Sequence, residues 1–329
     1  MSSATPSVTA ALRLHLNERT TGCSPAALAA IRALSAQDIG RYPEEDEAVR
    51  AVERWFGVPR GWVRLVNGLD EAIAVVTQQV AVGARLNFDV AVIEPTFEMY
   101  RACTEAMGGR VVAEPTPWTR LIFLCNPNNP TGMLLPDGTI PRIATAVPQA
   151  TVFVDEAYAE FAGTTFIGAG LDRYRNVIVG RTFSKAYGLA GLRIGAIAGH
   201  PDTLAPLQPH LLPYRVNAPA LAALTAALDD RDFVDRYVAE CAASRRRLES
   251  FCATHGLGYV PSAANFMLIR IGPGATALAE WLLARGVVIR DRSRVPGCAG
   301  CVRITTGWIA DTDRCLDLLE EYLATTRAR

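Results

Sequence analysis

Over the first two-thirds of the chain, short apolar runs alternate with longer helical patterns, and this alternation is what most narrows the possible folds. Candidate strands are Val63 to Val66, Asp89 to Glu94, Leu121 to Cys125, Thr151 to Asp155, Asn176 to Gly180 and Arg193 to Ala198. Helical periodicity covers Glu45 to Phe56, Asp70 to Val82, Phe97 to Met107 and Pro136 to Ala146. Such apolar runs suit strands buried on both faces, so the pattern predicts an α/β domain with a mainly parallel sheet between helices. From about Asp230 the texture changes to a long amphipathic helix, Phe233 to His255, followed by strand, helix, strand, strand and helix. This predicts a large domain over 38–229 and a smaller α+β domain formed by 1–37 with 230–329.

Composition excludes several classes of function. The 33 basic and 33 acidic residues cancel, and Arg245 to Arg247 is the nearest approach to a charge cluster, read as a solvated helix face. Nucleic acid is therefore not an expected partner. No apolar run approaches the roughly 20 residues of a membrane span, and no leader pattern opens the chain, so a cytoplasmic protein is expected. The 8 cysteines are scattered, as reduced thiols would be. The lone C-x-x-C, Cys298 to Cys301, lacks the second pair a zinc site needs, and no metal is expected.

In parallel α/β sheets ligands gather at the carboxyl ends of the strands. Four of those ends carry unusual chemistry: N-G-L-D-E after Val66, N-P-N-N-P-T-G after Cys125, D-E-A-Y from Asp155, and R-T-F-S-K after Gly180. Lys185, set among small and apolar residues, would have a depressed pKa and a free amine able to attack a carbonyl carbon. Asp155 at a strand end could balance a pyridinium nitrogen, while Tyr158 and Asn129 could donate to a phenolate oxygen on the same ring. Ser184, Arg193 and the amides opening the Asp70 helix would make a phosphate cradle. Together these describe a site for pyridoxal 5'-phosphate.

The same residues carry a family resemblance. L-H-L-N-E, R-Y-P, P-T-F-E-M-Y, N-P-N-N-P-T-G, V-D-E-A-Y, R-T-F-S-K-A-Y-G-L-A-G-L-R-I-G, A-N-F, I-R-D-R-S and C-V-R-I-T-T-G together resemble the fold-type I pyridoxal-phosphate aminotransferases, in particular the histidinol-phosphate aminotransferase group. The resemblance implies a seven-stranded, mainly parallel sheet and a Schiff base between Lys185 and the cofactor. It implies Phe97 as the ring stacked on the pyridine, Asp155 as partner of its nitrogen, and Tyr158 and Asn129 as contacts of its phenolic oxygen. Ser184, Arg193, Asp70 and the Leu69 amide resemble the phosphate cup. Tyr42 resembles a tyrosine that reaches the phosphate from a neighbouring subunit, which implies a homodimer. Arg303 and Arg290 match two arginines that grip the substrate's anionic end.

The implied reaction is ping-pong transfer of an amino group between an anionic amine and an oxo acid such as 2-oxoglutarate. Other readings are an aminotransferase for an aromatic or specialised amino acid, an enzyme like threonine-phosphate decarboxylase, or an inactive ligand-binding paralogue. Several stretches depart from the family pattern. Only Met1 to Arg13 precede the first motif, without an aromatic residue, which predicts a short or absent lid. Leu69 stands where the family has Ser or Ala, and R-T-T-G follows L-N-E where it favours N-P-x-G. Between Val112 and Leu121, A-E-P-T-P-W-T-R replaces a loop and helix, and Pro115 and Pro117 oppose any helix there.

Overall fold

The computed structural model describes residues 11–84 and 87–327, so the expected shortening of the N-terminal arm lies mostly outside the described residues. At its centre is a sheet of seven strands: β1 (Val63–Val66), β2 (Asp89–Val92), β3 (Arg110–Val112), β4 (Thr119–Cys125), β5 (Thr151–Asp155), β6 (Val177–Thr182) and β7 (Gly195–Gly199). Their order is β1-β7-β6-β5-β4-β2-β3, and β7 runs opposite to the other six. The carboxyl ends of the other six therefore share one edge, and β7 starts from that edge.

Side chains along these strands alternate between two cores, as the pleat requires. Phe123, Phe153 and Ile178 pack on one face with helix α1 (Gly68–Gly83), while Leu124, Val154 and Val179 pack on the other. Burial on both faces explains why these strands read as uninterrupted apolar runs.

Six of the seven strands are legible in the sequence. The seventh, β3, is a three-residue edge strand, too short and too exposed to leave an apolar signature. After it, residues 113–118 run directly to β4 with no helix, and the Thr116 amide donates to Thr119 Oγ1 at 2.7 Å. One boundary needs correction. Arg193 is not extended strand; its φ of 52° is left-handed, at the end of a short 3-10 turn, and β7 begins only at Gly195.

A second, antiparallel sheet comprises β8 (Gly258–Val260), β9 (Phe266–Arg270), β10 (Arg290–Asp291) and β11 (Cys301–Thr305), ordered β10-β11-β9-β8. Its own core joins Met267 and Ile304 to Leu248 and Leu319 from the two long C-terminal helices. Leu12–Arg13 pairs with Val287–Val288 beside it, which brings the following residues of L-H-L-N-E towards the first sheet. Arg245 differs from the solvated reading of its triplet: it is half-buried, and its Nη1 donates to the Ala264 carbonyl at 2.7 Å. No helix among the described residues is long and apolar enough to cross a membrane.

Candidate active site

At the carboxyl edge of the central sheet lies a cavity of about 220 Å³. Four strand ends supply its floor: Leu69 and Asp70 after β1, Asn129 after β4, Asp155 and Tyr158 from β5, and Ser184 and Lys185 after β6. Phe97 enters from the loop before helix α2 (Glu98–Ala106), and its ring meets Tyr100 edge-on at 5.7 Å. The opposite wall comes from the second sheet and the N-terminal segment: Arg290, Arg292, Arg303, His15 and Asn17.

Lys185 is half-buried, and its Nζ donates to the Leu16 carbonyl at 2.9 Å. Burial first, and the nearby positive charge of Arg303 second, push its amine down to about 8. Asp155 is fully enclosed: Oδ2 accepts from the Tyr100 hydroxyl at 2.7 Å and Oδ1 from the Ala157 amide at 2.9 Å. Burial raises its carboxyl above the usual range, while those two donors act in the opposite direction. Tyr158 accepts from Asn17 Nδ2 at 3.1 Å, so its own proton is free to be donated, and burial pushes its hydroxyl up to about 12.

One wall gathers groups that attract an anion. Gly68 has φ +77°, and α1 starts there, so the Leu69 and Asp70 amides fall in the first turn, where no intrahelical acceptor exists. A Cβ on Gly68 would lie 2.9 Å from Arg193 Nη2, which shows how closely that guanidinium overlies the helix start. The left-handed turn at Arg193 directs its Nη2 to Asp70 Oδ2 at 2.8 Å. Ser184 Oγ is buried with no hydrogen-bond partner among the described residues, a spare donor beside these groups.

The other wall is cationic. Arg290 and Arg303 are direct cross-strand partners on β10 and β11, so their side chains share one sheet face. Arg303 is buried; its Nη1 donates to Asn129 Oδ1, which leaves the Asn129 amide NH₂ available, and its Nη2 donates to the His15 carbonyl at 2.8 Å. Burial brings its guanidinium down to about 10.

Every residue singled out in the sequence lines this cavity except Tyr42. Tyr42 is 76% exposed and stacks on Tyr214 with ring centroids 4.2 Å apart. Sequence reasoning missed Tyr100, Asn17, Glu98 and Arg292. Each lies inside a quoted motif, but only the tertiary contacts reveal its place. Among the described residues no cluster of His, Cys, Asp or Glu is arranged to hold a metal, and Cys298 and Cys301 are buried free thiols.

Comparison with known proteins gives this geometry its context. The model of the family "Aminotransferase class I and II" matches residues 10–319. The chain is 38% identical to a histidinol-phosphate aminotransferase of Symbiobacterium thermophilum, over 95% of this chain and 90% of that protein. It is 34% identical to one from Lactiplantibacillus plantarum, over 96% and 93%. The crystal structure of histidinol-phosphate aminotransferase from Sinorhizobium meliloti in complex with pyridoxal-5'-phosphate superposes with a TM-score of 0.83 at 27% identity, covering 96% of this chain and 91% of that one.

The residues present fit that cofactor. A buried carboxylate, an amine of lowered pKa, an unpartnered serine hydroxyl and a helix start under an arginine are the donors and charges that a pyridine ring, an aldehyde and a phosphate require. The chain belongs to the class I and II aminotransferases, in their histidinol-phosphate aminotransferase group, and is a pyridoxal 5'-phosphate-dependent enzyme of fold type I.

Proposed function

We propose that this enzyme moves the amino group of histidinol phosphate to an oxo acid such as 2-oxoglutarate, working in the cytoplasm as a homodimer. The observation that carries the reading is the single small cavity in which the low-pKa amine of Lys185 faces both the buried Asp155 and the arginine wall of Arg290 and Arg303. The names of the relatives support the choice of donor.

Pyridoxal phosphate, when bound, supplies an aldehyde for an amine and a ring that accepts electrons from the substrate's α-carbon. In our reading Lys185 would hold the cofactor and, as a free amine, would take the proton from the substrate's α-carbon and return it on the other side of the transfer. Its lowered pKa keeps a useful fraction of the amine unprotonated near neutral pH. Asp155 balances the ring nitrogen's charge. Tyr158 donates its free proton, and Asn129 its NH₂, to the ring's phenolic oxygen. Phe97 would pack against the ring. Ser184, Arg193, Asp70 and the Leu69 amide take the phosphate, and Tyr42 reaches it from the partner subunit. Arg303 and Arg290 bind the substrate's anionic end; a planar guanidinium accepts carboxylate or phosphate alike. We also read the chain as two units, 38–229 and 1–37 with 230–329, with the cavity between them.

The test is a donor panel with 2-oxoglutarate on the cofactor-loaded enzyme, following the cofactor's visible band. Histidinol phosphate should convert the band faster than any other donor. An aromatic amino acid that converts it while histidinol phosphate does not would refute the donor assignment. Release of CO₂ from a phosphorylated amino acid would move the chain to decarboxylase chemistry.

A further inference from the structure

A second, larger cleft of about 810 Å³ adjoins the cavity, and His15, Phe97, Glu98, Arg290 and Arg292 line both. These residues lie where the cleft and the cavity meet. Arg290 and Arg292 lie two residues apart at the end of β10, and the Arg292 amide donates to the Cys301 carbonyl at 2.9 Å, continuing the pairing with β11. Arg292 therefore shares the sheet face that carries Arg290 and Arg303.

The three arginines are not equivalent. Arg292 is only 4% exposed, and its Nε is buried with no partner among the described residues. Its Nη2 donates to Glu98 Oε2 at 3.2 Å, and the other Glu98 oxygen lies 3.9 Å from Arg290 Nη2. One half-exposed carboxylate is thus shared by two guanidinium groups, while Arg303 has no carboxylate partner among the described residues. Both Arg290 and Arg292 lower the pKa of Arg303, so the three charges act on one another. Counting Glu98 against them leaves the wall two positive charges in excess. A monocarboxylate would balance one of these, and a phosphate monoester dianion both.

We propose that Arg292 is a specificity-determining residue: with Arg290 it clamps a phosphate monoester on the amino donor, and Glu98 is the internal carboxylate with which that ester competes. The inference rests on the histidinol phosphate reading above and names the residue that would enforce it. Arg292 supplies a donor that is already dehydrated, so its hydrogen bond to the ester costs little further desolvation. Glu98, half in solvent, gives way readily.

The test compares histidinol phosphate with histidinol in single turnovers of the cofactor-loaded enzyme, read by loss of the cofactor's visible absorbance. The ratio of their second-order rate constants is the enhancement due to the phosphate. Arg292→Met should reduce that enhancement by about ten-fold or more, the scale of one charge-assisted hydrogen bond, and Arg292→Lys should restore part of it. Glu98→Gln, which is half-exposed and keeps an amide oxygen able to accept from Arg292, should increase it several-fold. If the parent enzyme shows no phosphate enhancement, the donor assignment itself fails. If its enhancement is large and either Arg292→Met or Glu98→Gln leaves it within about two-fold, the donor stands and the role of Arg292 is overturned; should Arg292→Met not fold, Glu98→Gln decides alone.

Discussion

The Tyr100 hydroxyl donates to Asp155 Oδ2 at 2.7 Å, and both side chains are buried, Tyr100 completely. Tyr100 stacks on Phe123 with centroids 4.5 Å apart, so it is fixed by packing before it binds the carboxylate. Its hydrogen bond favours the ionised form of Asp155 against the burial that raises that group's pKa. Tyr100→Phe keeps the ring and removes the donor, which should weaken ionised Asp155 by about 1.5 kcal/mol, the lower end for a hydrogen bond to a charged group. The expected outcome is a dissociation constant for pyridoxal phosphate raised about ten-fold, with the deficit growing as the pH falls. A titration of the cofactor-free protein at two pH values measures it, and equal affinity for both proteins would deny Tyr100 this role.

Lys185→Ala should abolish turnover, by at least about a thousand-fold, because no other amine among the described residues lines the cavity to act as base. Borohydride treatment followed by intact mass measurement should add the cofactor's mass to the parent protein and nothing to the variant. The proposed phosphate cup of Ser184, Arg193 and the Leu69 amide does not involve this amine, so the variant should still bind the cofactor without a covalent bond. An adduct on the variant would place the reactive amine elsewhere.

What is legible in the sequence follows from burial and from position along a strand. Strands covered on both faces write apolar runs, so β1, β4 and β5 are found almost to the residue, and the polar residues just beyond them stand out by contrast. β3 leaves no such trace because an edge strand of three half-exposed residues needs no apolar run. Tyr100 reads as an ordinary helix-core residue, since nothing local says that its hydroxyl meets a carboxylate 55 positions away. Arg292 is hidden for a related reason: in I-R-D-R-S one arginine looks much like the other, and only the fold shows that the second is the buried one. Left-handed Arg193 is misread as strand because sequence periodicity carries no sign of φ.

The depressed amine of Lys185 yields a pH dependence of definite sign. Covalent capture of pyridoxal phosphate requires the unprotonated amine, so its rate should rise with pH through a midpoint near 8 rather than near the ordinary lysine value of 10.5. Burial is the larger cause and the positive charge of Arg303 the next. Replacing Arg303 with Met removes a cation that disfavours the ammonium, so the midpoint should move upward, towards but not to 10.5. Stopped-flow measurement of capture by the cofactor-free protein across pH 6 to about 10 reads both midpoints. A midpoint that fell in Arg303→Met would mean that the two groups are not coupled as described.

In the proposed phosphate cup, Gly68 would link backbone conformation to anion binding. At φ +77° an alanine is strained by its own Cβ, and that atom would fall 2.9 Å from Arg193 Nη2. Gly68→Ala should therefore cost more than about 1 kcal/mol of stability from the backbone alone. It should also push the guanidinium off the start of α1, breaking the 2.8 Å contact with Asp70. The second effect separates this position from a merely strained glycine: affinity for pyridoxal phosphate should fall about ten-fold, while affinity for pyridoxal, which lacks the phosphate, should change much less. Gly83→Ala, at the far end of the same helix with open space around it, serves as the control and should alter neither. If Gly68→Ala weakened pyridoxal and pyridoxal phosphate equally, the loss would be one of folding, and the helix start would not be the phosphate's seat.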